Sequence, residues 1–334
     1  MIIEIPYWVK GYCQLLFSLL KYCEVNSVPL KVAQNKLLPA GGAILHFDNK
    51  CIFLDYADGS IFLNDPSKYD CYFKRSLNKN DYKGNVFPLN FQLNLTYKPY
   101  KLLTKIDKLV LFDNKSRQEL LRSLDYFNLG KESHVSKSIN KLKNNGTKKD
   151  IGRVIFMTRL WNPENTNEEE RGRRIDQNNF RIGACRIIKK EFPNSIVGIF
   201  PDKLSEKTAK DVLIDFEQTK RENYFKLLTK CDIGISDDGL KDTPGWKIGE
   251  YIFSNKAIIS TPINTVVENF IENKNYLSTG SRNNFEILPD LIKKLLTGNT
   301  ISEMQKNNKD WCNQYLEPSI YIENIIKKVE GYNI

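Results

Sequence analysis

The sequence predicts an α/β protein, because short apolar strand-like runs alternate along the chain with segments of helical periodicity. The length of 334 residues is comfortable for two domains, and a hydrophobic content of 41 % is enough to build packed cores. A polar, basic and aromatic-free segment at residues 131–150 interrupts the alternation and is the best linker candidate. We therefore predict two Rossmann-like layers with parallel sheets, at residues 1–140 and 150–315.

The first half opens with an amphipathic helix predicted over Tyr7–Cys23. Its apolar stripe favours a core-facing helix over an interfacial membrane helix. Two aspartates, Asp55 and Asp58, are expected where a strand meets a loop. The strands predicted in this half are Leu30–Ala33, Ala43–Phe47, Cys51–Tyr56, Asn85–Leu89 and Lys108–Phe112.

The second half repeats the alternation of strands and helices. Its predicted strands are Arg153–Met157, Ser195–Phe200, Ile233–Ile235 and Ala257–Ser260. Its predicted helices are Asn178–Glu191, Asn223–Cys231, Trp246–Phe253, Phe285–Leu296 and Ile301–Tyr315, with a final helix at about Ile320–Glu330.

The positive charge of the chain is concentrated in its first half. Of a formal net charge of +10, residues 1–150 contribute 23 basic against 14 acidic side chains, whereas residues 151–334 are nearly balanced. An excess of this kind indicates an anionic partner, which can be a membrane surface, a phospholipid-linked substrate or nucleic acid. A merely solvated lysine-rich surface is nearly as good an explanation.

Several classes of protein are disfavoured by what the sequence lacks. No signal peptide is apparent, and the longest apolar run near the N-terminus is too short to span a membrane. Seven scattered cysteines without a C-x-x-C pair favour a reduced, cytoplasmic protein without a zinc site. Dinucleotide and P-loop motifs are absent, and two histidines leave little room for a histidine metal site or a Ser-His-Asp triad.

Residues 231–262 have the pattern strand, loop, helix, strand, and two of their acids, Asp242 and Glu250, are separated by seven residues. This segment resembles the donor-binding signature of glycosyltransferases with the GT-B fold, especially glycosyltransferase family 4. That signature is an acid, seven residues and a Glu, followed by a strand that Lys256–Pro262 fills here. The resemblance covers about residues 151–295. The first acid is Asp where the family usually has Glu, which shortens its reach by one methylene.

The resemblance implies a GT-B architecture, in which two Rossmann-like domains face a central cleft and a C-terminal helix, residues 318–334, crosses back to the first domain. Glu250 would then accept hydrogen bonds from the ribose hydroxyls of a nucleotide-sugar donor, and Asp242 would contact the sugar hydroxyls. Backbone N–H groups of Gly245, Trp246 and Lys247 would meet the diphosphate at a helix N-terminus. The alternatives are that Glu250 is a surface helix residue and that Trp246 belongs to the core.

The resemblance also identifies Thr158 and Arg159 with the place where the family has a basic residue at the diphosphate. A guanidinium suits phosphate and offsets the charge that develops on the leaving group. Four further arginines compete for a second diphosphate contact, and Arg174 is our candidate. For those at residues 171–174, pairing with Glu168–Glu170 is an equally good alternative. The competing residues are Arg171, Arg173, Arg174 and Arg181.

The chemistry at the acceptor depends on whether the reaction inverts or retains configuration. In an inverting reaction Asp55 or Asp58 would be the general base, although capping of a turn is the favoured explanation for both. In a retaining reaction the family pattern implies that the donor phosphate assists and no base is needed. The metal motif Asp-x-Asp is absent, so we expect neither a metal nor another cofactor.

Together these observations predict a hexosyltransferase of polysaccharide or glycan biosynthesis that uses a nucleotide sugar, a UDP-sugar, and is retaining. The basic first half suits a lipid-linked saccharide as acceptor and peripheral association with the inner membrane face. One alternative is a nucleotide-sugar epimerase of the same fold, although such an enzyme usually needs a cleft richer in histidine. The last alternative is nucleic-acid binding by residues 101–149, and no recognition motif accompanies those lysines.

Overall fold

The structure is a computed structural model that describes residues 1–7, 10–93, 95, 97–108, 110, 113, 114, 117 and 152–332. It divides into two units. The first contains residues 1–140, 264–268 and 311–334, and the second contains residues 141–263 and 269–310. The predicted linker at 131–150 lies outside the described residues, so the predicted domain bounds stay a prediction.

The first unit contains a six-stranded mixed sheet with the order β2-β1-β3-β4-β5-β6. Its strands are β1 (Ile2–Ile5), β2 (Lys31–Gln34), β3 (Gly42–Phe47), β4 (Lys50–Asp55), β5 (Cys71–Lys74) and β6 (Val86–Pro88). Strand β3 runs antiparallel to both β1 and β4, whereas the pairs β1–β2, β4–β5 and β5–β6 are parallel. The α/β class is thus confirmed, but the prediction of a wholly parallel first sheet is wrong.

The antiparallel pairing results from a hairpin between β3 and β4. Phe47 pairs with Lys50, so only Asp48 and Asn49 form the turn, and their φ angles are 43° and 62°. Two-residue hairpins favour turns with positive φ at both central positions, and Asp and Asn tolerate that conformation well. The local turn chemistry therefore reverses the chain between β3 and β4, which makes this pair antiparallel.

Three helices of the first unit are described. They are α1 (Cys13–Val25) and α2 (Pro99–Leu103), together with the final helix α10 (Pro318–Gly331). Helix α1 packs against α10 and is buried along most of its length, which confirms the core-facing prediction. The strand predicted at 108–112 is wrong for its described residues, Lys108 and Val110, which are helical.

The second unit contains a five-stranded sheet in which all neighbouring strands are parallel. Its order is β11-β10-β9-β7-β8. The strands are β7 (Val154–Thr158), β8 (Ile196–Ile199), β9 (Ile233–Ser236), β10 (Ala257–Ser260) and β11 (Leu277–Ser278). Every residue of β7, β9 and β10 is buried, as expected for a parallel sheet covered on both faces. The four strands predicted in this half are confirmed.

The helices that follow in the chain are α3 (Glu168–Glu191), α4 (Lys203–Thr208), α5 (Phe216–Thr219), α6 (Arg221–Leu228), α7 (Trp246–Phe253), α8 (Leu288–Leu296) and α9 (Thr300–Tyr315). Helix α3 starts ten residues before its predicted start at Asn178, because the Asn167 side chain accepts a hydrogen bond from the Glu170 N–H at 3.1 Å and caps it. None of the helices in the described part of the chain has the length and apolar character needed to cross a membrane.

The strand order of the second sheet indicates where a ligand is expected. From β7 the chain moves to one side to form β8, and then returns past β7 to form β9 on its other side. In open parallel sheets, ligands bind outside the carboxyl ends of the strands at such a reversal of strand order. The residues that follow β7 and β9 are therefore the first place to look for a site.

Close packing between β9 and α7 gives a testable prediction. A Cβ atom at Gly234 would lie 2.5 Å from the Tyr251 ring, whereas one at Gly172, on α3, would meet nothing within 4 Å. We expect Gly234→Ala to lower the free energy of unfolding by about 1–3 kcal/mol through overpacking. Gly172→Ala, the control, should raise it by about 0.5–1 kcal/mol. Equal urea midpoints for the two variants would contradict this packing.

Candidate functional site

A cavity of about 310 Å³ opens at the carboxyl edge of the second sheet. It combines charged, aromatic and aliphatic side chains from the ends of two strands and from helices α6 and α7. The lining residues are Met157, Thr158, Arg159, Phe200, Ile214, Thr219, Arg221, Tyr224, Trp246, Lys247 and Glu250. Of the eight residues predicted for the donor site, five line this cavity, and Gly245 adjoins it as the N-cap of α7. Arg174 and Asp242 do not line it.

Arg159 is the most available cation of this cavity. It directly follows Thr158, the last residue of β7, and it is exposed. Its guanidinium carbon lies 5.1 Å from the ring centroid of Phe200 and 5.7 Å from that of Trp161, within the range of cation–π attraction. Among the described residues its guanidinium has no ion-pair partner, so it can receive an anion at the carboxyl end of β7.

Glu250 is nearly buried in the wall of the cavity. Arg221 Nη2 lies 2.8 Å from its Oε1, and the Tyr224 hydroxyl donates to its Oε2 at 3.0 Å. Burial raises the pKa of Tyr224 well above its usual value, so this hydroxyl keeps its proton. A carboxylate has about four lone-pair sites, so Glu250 can still accept hydrogen bonds from a ligand.

Arg221 and Tyr224 were not predicted as site residues. They lie three positions apart on α6 and share one helical face, but nothing in the local sequence relates them to Glu250, which follows 26 residues after Tyr224. They fix the orientation of the Glu250 carboxylate, and Arg221 supplies a second cation at the cavity.

Helix α7 begins at this cavity. Gly245 is its N-cap and has no side chain with which to cap the helix, so the partial positive charge of the helix N-terminus lies at Trp246 and Lys247. The Lys247 amine, however, is directed toward the interior and lies 5.9 Å from the Phe156 ring centroid. Burial lowers the pKa of Lys247 to about 8.

The loop between β9 and α7 is held by three arginines. Arg181 makes a bidentate contact with Asp237, including Nη2 to Oδ1 at 3.0 Å. Arg173 donates from Nη1 to Asp238 Oδ2 at 3.1 Å. Burial and the neighbouring Asp237 charge raise the pKa of Asp238, and the guanidinium groups of Arg282 and Arg173 oppose this shift. The third arginine is Arg282, from the loop after β11, which donates to Asp238 and Asp242.

The structure separates the arginines that competed for a diphosphate contact. Arg171 pairs with Glu164 at 2.9 Å, and Arg173 pairs with Glu170 as well as with Asp238. Arg174 donates to two backbone carbonyls of the preceding loop, at 2.9 and 3.1 Å. None of these residues lines the cavity, nor does Arg181. The geometry therefore does not favour Arg174 as a diphosphate ligand, and the alternative of pairing with acids fits Arg171 and Arg173.

Asp242 is half-exposed and does not line the cavity. Its φ angle is 56°, and that of Lys241 is 53°, so two consecutive residues adopt the left-handed conformation. Its carboxylate contacts Arg282, a residue that the sequence did not single out. Its predicted contact with the donor sugar stays a prediction.

Asp55 has no exposed surface. Its carboxylate accepts hydrogen bonds from the Tyr72 hydroxyl at 2.6 Å and from Lys74 Nζ at 3.1 Å. It also accepts from the N–H groups of Ala57 and Leu63, each at 3.0 Å. This geometry does not fit a general base, because a base must reach the proton of an acceptor hydroxyl. Asp55 instead has a structural role at the end of β4.

Asp58 differs from Asp55 in its exposure. Its side chain is 40 % exposed and accepts a hydrogen bond from Arg75 Nη1 at 2.8 Å. It stays a prediction as a base for an inverting reaction. Within the described ranges, no group of three or more His, Cys, Asp or Glu side chains is placed to hold a metal ion. Independence of metal also stays a prediction.

A second concave region, of about 690 Å³, lies along α3 and includes Ile175, Ile182, Leu204 and Phe285. It is larger than the cavity described above. It is lined mainly by apolar side chains, and although Leu160 and Pro163 follow β7, its lining includes neither Arg159 nor a residue from the start of α7. The smaller cavity is therefore the candidate site.

No family model matches the chain, and no curated protein matches it. It is similar to the solved C-terminal domain of a glycosyl transferase group 1 family protein (LpcC) from Francisella tularensis, with 15 % identity, 54 % of this chain and 93 % of that chain covered, and a TM-score of 0.33. It is also similar to a glycosyltransferase from Rickettsia africae, with 9 % identity, 98 % of this chain and 97 % of that chain covered, and a TM-score of 0.44. A third similar structure is a co-structure of S. aureus MnaA with UDP, with 14 % identity, 99 % of this chain and 97 % of that chain covered, and a TM-score of 0.42. Similarities this low carry no argument about activity.

The buried ion pair at the end of β9 gives the second prediction. Replacing Arg181 by Met leaves the Asp237 carboxylate buried without its bidentate partner, so we expect a loss of about 3–5 kcal/mol in the free energy of unfolding. The control is Arg186→Met on the same helix, because the bidentate pair of Arg186 with Asp211 is exposed. That variant should lose less than about 1 kcal/mol. Similar losses in urea unfolding would contradict the assigned role of Arg181.

The lowered pKa of Lys247 gives the third prediction. The ordinary lysine value is 10.5, whereas the folded-state pKa is about 8, so between these values the unfolded chain binds more protons at this residue. Its contribution to the free energy of unfolding therefore rises as the pH rises through this window. Lys247→Met removes this contribution. Urea unfolding from about pH 7 to pH 10 should show wild type gaining stability relative to the variant, and parallel profiles would contradict the prediction.

Proposed function

We propose that the protein is a retaining glycosyltransferase that moves a hexose from a UDP-sugar to a glycan or a lipid-linked saccharide. The observation that supports this most is the cavity at the carboxyl edge of the second sheet. There, the exposed guanidinium of Arg159, the start of α7 and the buried carboxylate of Glu250 line one space. These groups suit the diphosphate and the ribose of a nucleotide sugar.

In this proposal the diphosphate lies between Arg159 and the N-terminus of α7. Arg159 and Arg221 both line the cavity, and because Arg221 already pairs with Glu250 at 2.8 Å, Arg159 is assigned to the diphosphate. Negative charge develops on the diphosphate as the bond to the sugar breaks. A preorganised guanidinium stabilises that charge more in the transition state than in the ground state, which lowers the barrier.

The ribose is assigned to Glu250. Arg221 and Tyr224 hold its carboxylate in one orientation, and the remaining lone pairs can accept from two ribose hydroxyls. The rings of Phe200 and Trp246 line the same cavity and offer flat apolar surface to the base. A nucleoside diphosphate thus finds a partner for each of its three parts.

The retaining course is supported by the surroundings of Asp55. An inverting reaction needs a base at the acceptor hydroxyl. Asp55 is fully buried and already accepts four hydrogen bonds, which leaves Asp58, paired with Arg75, as the remaining predicted base. In a retaining reaction the departing phosphate can itself take that proton. The excess of basic residues in the first half of the chain supports an anionic, lipid-linked acceptor at a membrane surface.

The fourth prediction concerns the donor site. We expect calorimetry to show UDP and UDP-sugars binding to wild type equally well with and without EDTA, and more tightly than GDP. Glu250→Gln keeps the shape and can still accept from Tyr224, but it weakens charged hydrogen bonds to the ribose. We therefore expect UDP affinity to fall about tenfold or more.

The matched control is Glu206→Gln, at an exposed glutamate of α4 in the same unit, which should bind UDP like wild type. The proposed function would be contradicted if wild type bound no nucleotide. It would also be contradicted if Glu250→Gln bound UDP as tightly as wild type.

A further inference from the structure

A second polar feature lies on the same edge of the second sheet as the cavity. Arg282 follows strand β11, and its Nε donates to Asp238 Oδ2 at 2.7 Å while its Nη2 donates to Asp242 Oδ1. Asp242 precedes the cavity residue Trp246 by four positions, so the two lie at most about 14 Å apart. The pair of Arg282 and Asp242 is therefore within reach of a ligand that extends from the cavity.

This pair has unused hydrogen-bonding capacity on both of its sides. Among the residues that the structure describes, Nη1 of Arg282 and Oδ2 of Asp242 have no hydrogen-bond partner, and the two side chains are 27 % and 45 % exposed. A guanidinium carries five N–H donors and a carboxylate about four lone-pair sites. The surface thus presents a charged donor next to a charged acceptor.

The position of Asp242 costs free energy that its own ion pair does not recover. The buried Asp238 already has Arg173 as a partner at 3.1 Å, and an ion pair as exposed as that of Arg282 with Asp242 contributes at most about 1 kcal/mol. Lys241 and Asp242 both have left-handed backbone angles. Each such residue costs about 1–3 kcal/mol, and such conformations concentrate at ligand sites. The loop therefore holds the Asp242 carboxylate outward at an energetic cost.

We propose that Arg282 is a specificity-determining residue that recognises the donor sugar together with Asp242. The Asp242 carboxylate accepts from one sugar hydroxyl, while Arg282 Nη1 donates to the oxygen of the neighbouring hydroxyl. The class of donor that fits is a hexose with two adjacent free hydroxyls, because each hydroxyl both donates and accepts. A site built to bond hydroxyls rejects analogues without them. This inference depends on the proposed function and adds a residue to it.

The test separates recognition of the sugar from recognition of the nucleotide. Calorimetry measures the dissociation constants of UDP, UDP-glucose, UDP-galactose and UDP-GlcNAc for wild type, Arg282→Gln and Asp242→Asn. The readout is the ratio of the constant for the best-bound UDP-sugar to that for UDP. We expect both variants to bind UDP within about twofold of wild type and to change this ratio about tenfold, as for a lost hydrogen bond to a charged group.

The control is Arg186→Gln, at the exposed pair with Asp211, which should leave both constants unchanged. A ratio within about twofold of wild type in both variants would overturn the inference, and so would a parallel loss of UDP affinity, which indicates a structural role. If Arg282→Gln does not fold, Asp242→Asn decides by the same ratio. If wild type binds UDP and Glu250→Gln weakens that binding, but the ratio is unchanged in Arg282→Gln and Asp242→Asn, only this inference is overturned. Absence of UDP binding to wild type overturns the proposed function as well.

Discussion

Two adjacent aspartates, Asp237 and Asp238, follow strand β9 in the interior of the second unit, and the local structure depends on giving each of them a cation. A buried carboxylate without a partner costs several kcal/mol, and burial alone raises the pKa of Asp238. Arg181 and Arg173 of helix α3 supply this charge, and Arg282 adds a third guanidinium from the loop after β11. The ion pairs therefore tie one long helix and two strand ends to one loop.

The arginines of the second unit fall into those that stabilise the fold and those that line the cavity. Arg173 and Arg181 of α3 pair with the buried Asp238 and Asp237, so these two arginines stabilise the loop that leads into α7. Arg159 is stacked against two rings and has no ion pair among the described residues, so it alone of the predicted arginines lines the cavity. Glu250 is likewise available to a ligand, because Arg221 and Tyr224 orient its carboxylate without using all of its lone pairs.

The second sheet could be predicted strand by strand, because parallel strands buried on both faces appear in the sequence as continuous apolar runs. The family resemblance that singled out Thr158, Arg159 and Glu250 also named residues that line one cavity. The first sheet was harder, because its hairpin depends on the two turn residues Asp48 and Asn49. The start of α3 was missed although Asn167 and Glu170 have the spacing of a capping pair. Ion-pair partners such as Arg181 and Asp237, 56 residues apart, are set by the fold and leave no local pattern.

The loop before α7 shows why its unusual backbone persists. A Cβ at Gly239 would lie 2.4 Å from the Thr243 carbonyl oxygen, so only glycine allows the close approach that closes the loop through the Gly239 N–H, at 2.6 Å from that oxygen. The loop is closed on one side and Asp238 is held by two arginines on the other, and between these contacts Lys241 and Asp242 adopt left-handed conformations. Strain of this kind survives only where surrounding contacts over-determine the backbone. The contacts that keep Asp238 buried are therefore the same ones that hold Asp242 outward beside Arg282.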